Sequence, residues 1–377
     1  MIGMSHLGAV LVVHMGYWRV RKELIGVSAG AYTPAIRVSF YLQHQFASPS
    51  RRAWCRLGVP ASLAILLLAA CQPKQEPTIA VIARTSGSMM SESEHGGAMA
   101  AADPGHARIY WNAPTREDDI QGQTAMVEWV AHGGAQGLVL LPDHASALIS
   151  PVRSALANGI PTVIVSSPLA MPPGGHLFYV LNDEVRGGEL GAERVSAILH
   201  GHGKVAILGI DPDIRGIMTR ARSLEETLVR TEPGIQIVTH AIGSFNVPHE
   251  QQMAEESLKA HPDLDVIVAL TAVSGHGALS ALASSGNRHV KVICYDPNDT
   301  LFDDPSLDSF ILQDTRSMGK DAVRTVLASL RGQPTPAERE FAPTLVTREN
   351  VSSPEVKRLS SMEWRTKPLH WTWSIGP

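Results

Sequence analysis

The chain has 377 residues, 36 acidic and 32 basic, for a formal charge of −4. That length exceeds what one compact core serves and calls for more than one folded unit. The acidic balance, with no basic stripe, excludes a protein that tracks a nucleic-acid backbone, and three cysteines exclude a disulfide framework.

Residues 1–50 carry one acidic residue, Glu23, against Arg19, Arg21, Lys22 and Arg37, and show no sustained helical or strand period. They read as an extension with no role in the folded protein. Gly26-Val27-Ser28-Ala29-Gly30 has nucleophile-elbow spacing but lacks the strand before it and the helix after it that the motif needs. Arg51, Arg52 and Arg56 then precede an uncharged run, Leu57 to Ala70, shorter than the roughly 20 residues of a membrane-spanning helix.

That run closes on Leu68-Ala69-Ala70-Cys71, and residues 51–70 resemble a bacterial lipoprotein signal. The resemblance implies a mature chain beginning at Cys71, lipidated there and held in the cell envelope on the periplasmic side, at the outer membrane in a Gram-negative host. Seven basic residues and one acidic residue precede Cys71, leaving 25 basic against 35 acidic and a mature charge near −10. Cys294 is then the one unmodified cysteine and reads as a small core side chain. Residues 71–77 form a solvated tether.

From Thr78 short β-rich apolar runs alternate with longer amphipathic stretches, the pattern of a parallel sheet covered by helices. Strands are predicted at 79–83, 108–111, 137–141, 162–165, 205–209, 235–241, 266–270, 290–295 and 310–313. Helices are predicted near 91–103, 119–132, 145–158, 185–200, 216–231, 248–260, 274–285 and 317–331. The fold class is α/β, with two Rossmann-like lobes and a ligand site between them.

The order and spacing of several motifs carry a family resemblance. They are GLVLLPD from Gly137, ANGIPTVI from Ala157, Asn182-Asp183-Glu184-Val185-Arg186-Gly187-Gly188, AHPDLD from Ala260, Tyr295-Asp296, and Gln313-Asp314 followed by Met318-Gly319. The stretch from Thr78 to Gly332 resembles the sugar-binding proteins of bacterial ABC transporters of the ribose-binding type, periplasmic binding protein type I. These share their fold with the effector domain of lactose-repressor-like regulators. The resemblance implies two lobes joined by a multi-strand hinge: 78–181 completed by about 314–338, and 182–313 completed by about 339–348. Residues 349–377 are a tail without a counterpart.

By position, the resemblance puts ligand contacts at Ser88, Met89 and Met90 after the first strand and at Ser166 and Ser167 after the fourth. Further contacts fall on Arg220, Phe245, Thr271, Asp296 and Gln313. Arg220 offers a planar fork of donors, Asp296 two acceptors and Gln313 both, a set suited to hydroxyl-rich ligands. A surface ion pair with Glu225 or Glu226 is the alternative for Arg220, and core filling the alternative for Phe245. Asn182 and Asp183 read as hinge and helix cap. Where aldose-binding relatives place Asp-Arg this chain has Ser166-Ser167, and where they place aromatic pairs it has Met89-Met90.

The resemblance implies a monomeric, noncatalytic, lipid-anchored protein that passes a small polar solute, sugar-like, to an ABC permease, or alternatively reports it to a chemoreceptor or sensor histidine kinase. No nucleic-acid partner, cofactor or metal is expected. The sixteen histidines are spread over loops and helix ends rather than gathered as ligands.

Overall fold

The computed structural model describes residues 76–297 and 302–360. The lipoprotein-like signal, Cys71, the tether up to residue 75, the Gly26–Gly30 motif and residues 361–377 lie outside the described residues.

The first sheet is built from β1 (Thr78–Ile82), β2 (Arg108–Asn112), β3 (Gly137–Leu140), β4 (Thr162–Ser166), β5 (Leu177–Asn182) and the late β11 (Glu338–Phe341). Its spatial order is β11-β5-β4-β3-β1-β2, parallel throughout. The second sheet contains β6 (Gly203–Ile210), β7 (Ile235–Ile242), β8 (Val266–Ala269), β9 (Lys291–Tyr295), β10 (Leu307–Leu312) and β12 (Thr344–Thr347). Its order, β12-β10-β9-β8-β6-β7, repeats that of the first sheet, with β12 alone antiparallel. In each sheet the order reverses beside the first strand, between β1 and β3 and between β6 and β8, and such reversals leave a crevice at the carboxyl ends of the strands.

Both faces of each sheet are covered, so the central strands are apolar through their middle positions on both sides. In β1, Ala80 and Ile82 meet Val127 and Val152 from α2 (Ile120–Trp129) and α3 (Ile149–Ala157). Ile79 and Val81 meet Ala98, Met318 and Val326 on α1 (Met89–Gly105) and α8 (Thr315–Leu330). The second sheet packs Val205, Ile207 and Val268 against α4 (Glu184–Leu199) and α5 (Arg215–Thr231). Its other face packs Ala206, Leu208 and Cys294 against α6 (Val247–Ala260) and α7 (Ala272–Ser285). Edge strands β2 and β7 keep partly exposed residues, as their single covered flank requires. No helix among the described residues is long and apolar enough to cross a membrane.

The chain passes between lobes three times: at Asn182-Asp183, at Gln313-Asp314 and at Ala342-Pro343. Asp183 caps α4 by accepting from Arg186 N at 2.8 Å, and Asp314 caps α8 by accepting from Ser317 N at 3.0 Å. The third passage corrects the expected boundary near 338: residues 338–341 pair with β5 in the first sheet, and the second lobe is rejoined only at Thr344.

Three strands escaped the sequence reading, β5, β11 and β12, and so did a final helix, α9 (Pro354–Leu359), within the stretch expected to be a tail. α9 buries Val356 and Leu359 in the second lobe's core while reaching the first. Arg358 donates to Asp314 Oδ2 at 2.9 Å and to Ser317 Oγ at 3.3 Å, and Ser93 Oγ of α1 donates to the Leu359 carbonyl at 3.4 Å.

Candidate ligand-binding cleft

The two crevices face each other across a narrow cleft. Its walls include Ser88, Met90, Ser166, Ser167, Arg220, Phe245, Thr271, Asp296 and Gln313, which the family resemblance had implied. These side chains come from the carboxyl ends of strands and the first turns of the helices α1 and α5 in both lobes. Met89 is the exception: it is buried in the second lobe's core cluster and lines a smaller pocket with Leu312 and Leu359 behind the cleft wall. Successive residues at the start of α1 point about 100° apart, so Met90 faces the cleft and Met89 cannot.

One polar chain runs through the floor. Ser166 Oγ donates to Gln313 Oε1 at 2.6 Å, and Gln313 Nε2 donates to Asp296 Oδ2 at 2.7 Å. The Gln313 backbone N–H donates to Asp296 Oδ1 at 3.0 Å. Arg220 then donates to Asp296 Oδ2 at 3.1 Å and to the Leu270 carbonyl at 3.2 Å, while its Nε and Nη2 form a fork on Glu184, each at 2.7 Å. Its guanidinium lies 4.9 Å from the centroid of the Tyr295 ring. Arg220 is 3% exposed, so the surface ion pair with Glu225 or Glu226 does not form; Glu225 faces His240 instead.

This pairing changes what Arg220 does. Most of its donors are spent on protein carboxylates and a carbonyl, so it holds Asp296 and Gln313 in place more than it offers a free fork. Burial lifts the Glu184 carboxyl above the usual carboxylate range, and the facing guanidinium pulls against that rise. Burial likewise opposes the charge on Arg220, but Glu184 and Asp296 outweigh it and raise its pKa.

A second charged group stands at the first lobe's crevice. Arg84, just past β1, pairs with Asp143, past β3, at 3.2 Å, and both are almost fully buried. Gln123 fixes these strand ends by donating to the Ala83 and Leu141 carbonyls at 3.1 and 2.8 Å and accepting from Asp143 N at 2.9 Å. Burial pushes the Asp143 carboxyl up to about 8 despite Arg84, and pushes Glu117, which lines the same cleft, upward too.

Backbone conformation also marks the site. Ser166, Phe245 and Asp296 have φ of +66°, +48° and +47°, a region that costs a non-glycine residue on the order of 1 kcal/mol or more. Three strand-end wall residues held there indicate a shape imposed by the surroundings. Phe245 is partly buried, packs beside the second lobe's core and lines the cleft, which joins its two alternative readings.

Sequence reasoning missed Arg84, Glu117 and Glu184. Glu184 was visible one residue past the Asn182-Asp183 motif, and Arg84 stands directly after a strand, where sheet ligands gather. No group of three or more His, Cys, Asp or Glu among the described residues is arranged to hold a metal ion.

Comparison with known proteins agrees with this architecture. The family model for the periplasmic binding protein domain matches residues 79–334. The ribose import binding protein of Bacillus subtilis is 29% identical over 220 residues, 58% of this chain and 70% of that protein. The D-ribose/D-allose-binding protein of Pseudomonas aeruginosa is 26% identical over 267 residues, 66% and 80% of the respective chains. Among solved structures, a carbohydrate transporter solute-binding protein from Agrobacterium radiobacter, in complex with D-arabinose, superposes with a TM-score of 0.70 at 22% identity, covering 77% of this chain and all of that one. With two wound lobes, three passages and a family match over most of its length, this chain belongs to the periplasmic binding protein domain family.

Proposed function

We propose that the protein is an extracytoplasmic solute-binding protein that traps a small hydroxyl-rich molecule, a sugar or polyol, between its lobes and delivers it to an ABC importer. The observation that carries this reading is the cleft itself, with polar strand-end residues from both lobes around one space. Relatives support the ligand class: their names specify ribose, ribose or allose, and xylitol. A structural neighbour from Agrobacterium vitis holds D-fucose.

Binding works by differential affinity. A ligand that touches Ser88 and Ser166 in one lobe and Thr271 and Asp296 in the other gains its full set of contacts only when the lobes are together, so it shifts the population toward closure. The protein contributes recognition and motion, with no bond made or broken, and acts as a monomer.

A thermal-shift panel of sugars, polyols, nucleosides and amino acids, followed by calorimetry of the hits, tests the reading. Sugars or polyols are expected to raise the melting temperature. Stabilisation by amino acids or nucleosides alone would refute it. We also assign the membrane attachment to lipid on Cys71; intact-mass analysis of detergent-extracted protein is expected to find a diacylglyceryl adduct there, and an unmodified Cys71 in a chain starting at Met1 would remove the anchor.

A further inference from the structure

The charges around the cleft do not balance. Two guanidiniums, Arg84 and Arg220, face four carboxylates, Glu117, Asp143, Glu184 and Asp296. Arg220 is shared between Glu184 and Asp296, and Arg84 is engaged by Asp143. Each group therefore carries one surplus negative charge when its carboxyls are ionised.

Two of the acids are poorly satisfied. Glu117 lines both the cleft and its wide mouth, and among the described residues it makes no hydrogen bond or ion pair. Asp143 is 6% exposed, and neither of its oxygens accepts a hydrogen bond. Burial holds both carboxyls above the usual range against the pull of Arg84, and at Asp143 the nearby Glu117, Asp118 and Asp211 add to the rise. Ile214, Ile217, Phe245 and Leu270 complete the wall and keep the medium weakly polar, which strengthens any interaction between charges inside it.

Such a lining favours a guest that brings positive charge. A bare divalent ion does not suit it, because no three potential metal ligands converge among the described residues. A sugar acid or sugar phosphate would add to the surplus. An ammonium group supplies one positive charge and three N–H donors and forms strong charge-assisted bonds with a carboxylate that no protein donor has claimed. Ser88, Ser167 and Thr271 remain beside it for hydroxyl groups.

We propose that the cleft selects a ligand with a protonated amine on a hydroxyl-rich skeleton, an amino sugar or amino polyol, with Glu117 as the counter-charge that discriminates it from its neutral analogue. The inference rests on the reading of the cleft as a sugar-type site and narrows the class of its ligand.

The test is calorimetric titration of the full-length chain at pH 7 with matched pairs: D-glucose and D-glucosamine, D-galactose and D-galactosamine, ribitol and 1-amino-1-deoxyribitol. The N-acetylated amino sugars serve as forms whose charge has been cancelled. The amine of at least one pair should bind roughly tenfold more tightly than its neutral twin, equivalent to about 1.4 kcal/mol, and N-acetylation should abolish the advantage. In Glu117→Gln the amine-to-neutral ratio should collapse toward unity. A neutral member that binds as tightly as its amine overturns the inference and leaves the sugar reading intact, as does a ratio unmoved by Glu117→Gln. If no member of any pair binds, the inference falls, while the sugar reading stands or falls on the thermal-shift panel.

Discussion

Glu94 lies on the face of α1 that α8 covers, fully buried, and neither carboxylate oxygen has a hydrogen-bond partner among the described residues. Burial raises its pKa from 4.5 to about 8, with Arg84 opposing the rise. The unfolded chain loses this proton near pH 4.5 while the folded chain keeps it until about pH 8. The group's contribution to stability is therefore complete below the lower value and falls away as pH climbs between the two, by on the order of a few kcal/mol. Glu94→Gln removes the titration at nearly constant shape. Its melting temperature relative to the parent should rise between pH 5 and pH 8, and parallel curves would refute the assignment. Nothing in the sequence marks Glu94, because its cost comes from burial, and Gly319 of α8, which packs against it, lies more than two hundred residues away. The cleft shows the same limit. The strand ends were legible from the alternating pattern, and the family resemblance then placed Ser166, Thr271 and Asp296 at them. The partners they meet were not, since the Glu184–Arg220 and Arg84–Asp143 pairs close over 36 and 59 residues of chain and need the sheets to exist first.

Helix α4 meets α5 almost backbone to backbone at Gly188, where a Cβ would stand 2.5 Å from the Arg220 carbonyl oxygen and 2.6 Å from Leu224 N. The first lobe repeats the device at Gly97, whose Cβ would meet the Arg316 carbonyl of α8. Gly188→Ala must push α5 away, at a cost of about 1–3 kcal/mol for an overpacked contact. It should also weaken ligand binding, because the displaced turn carries the side chain that holds Asp296 in place. Melting temperature and calorimetric affinity are the measurements, and a variant unchanged in both would show that α4 and α5 tolerate separation. Elements of this kind were readable from periodicity wherever one face is apolar over several turns. Two adjacent glycines inside a helical pattern, as at Gly187-Gly188, go with such a close approach. β11 and β12 are four residues each and β11 is mostly exposed, so neither carries an apolar pattern, and pairing with a distant edge makes them strands. β5 was legible in principle, since Leu177 to Leu181 is one continuous apolar run whose six-residue strand is buried throughout.

At the scale of the molecule the lobes touch each other directly. Ala145 N donates to the Asp213 carbonyl at 2.8 Å, Gly216 N to Ser167 Oγ at 2.9 Å, and Arg215 Nη1 to the Leu169 carbonyl at 3.2 Å. At about 0.5–1.5 kcal/mol each, these bonds help to hold the lobes together. The three passages carry a further consequence for biogenesis. The first sheet's last strand, and the helix over Ile79, Val81 and Val163, come from residues 315–341, made after the whole of the second sheet except β12. A growing polypeptide cannot finish its first half in order of synthesis. It must keep that oily surface uncovered until nearly the end. A truncated product stopping at Asn182 should accordingly be sticky and dye-binding rather than a free-standing half, and a monomeric, sharply melting fragment would show that late closure is dispensable.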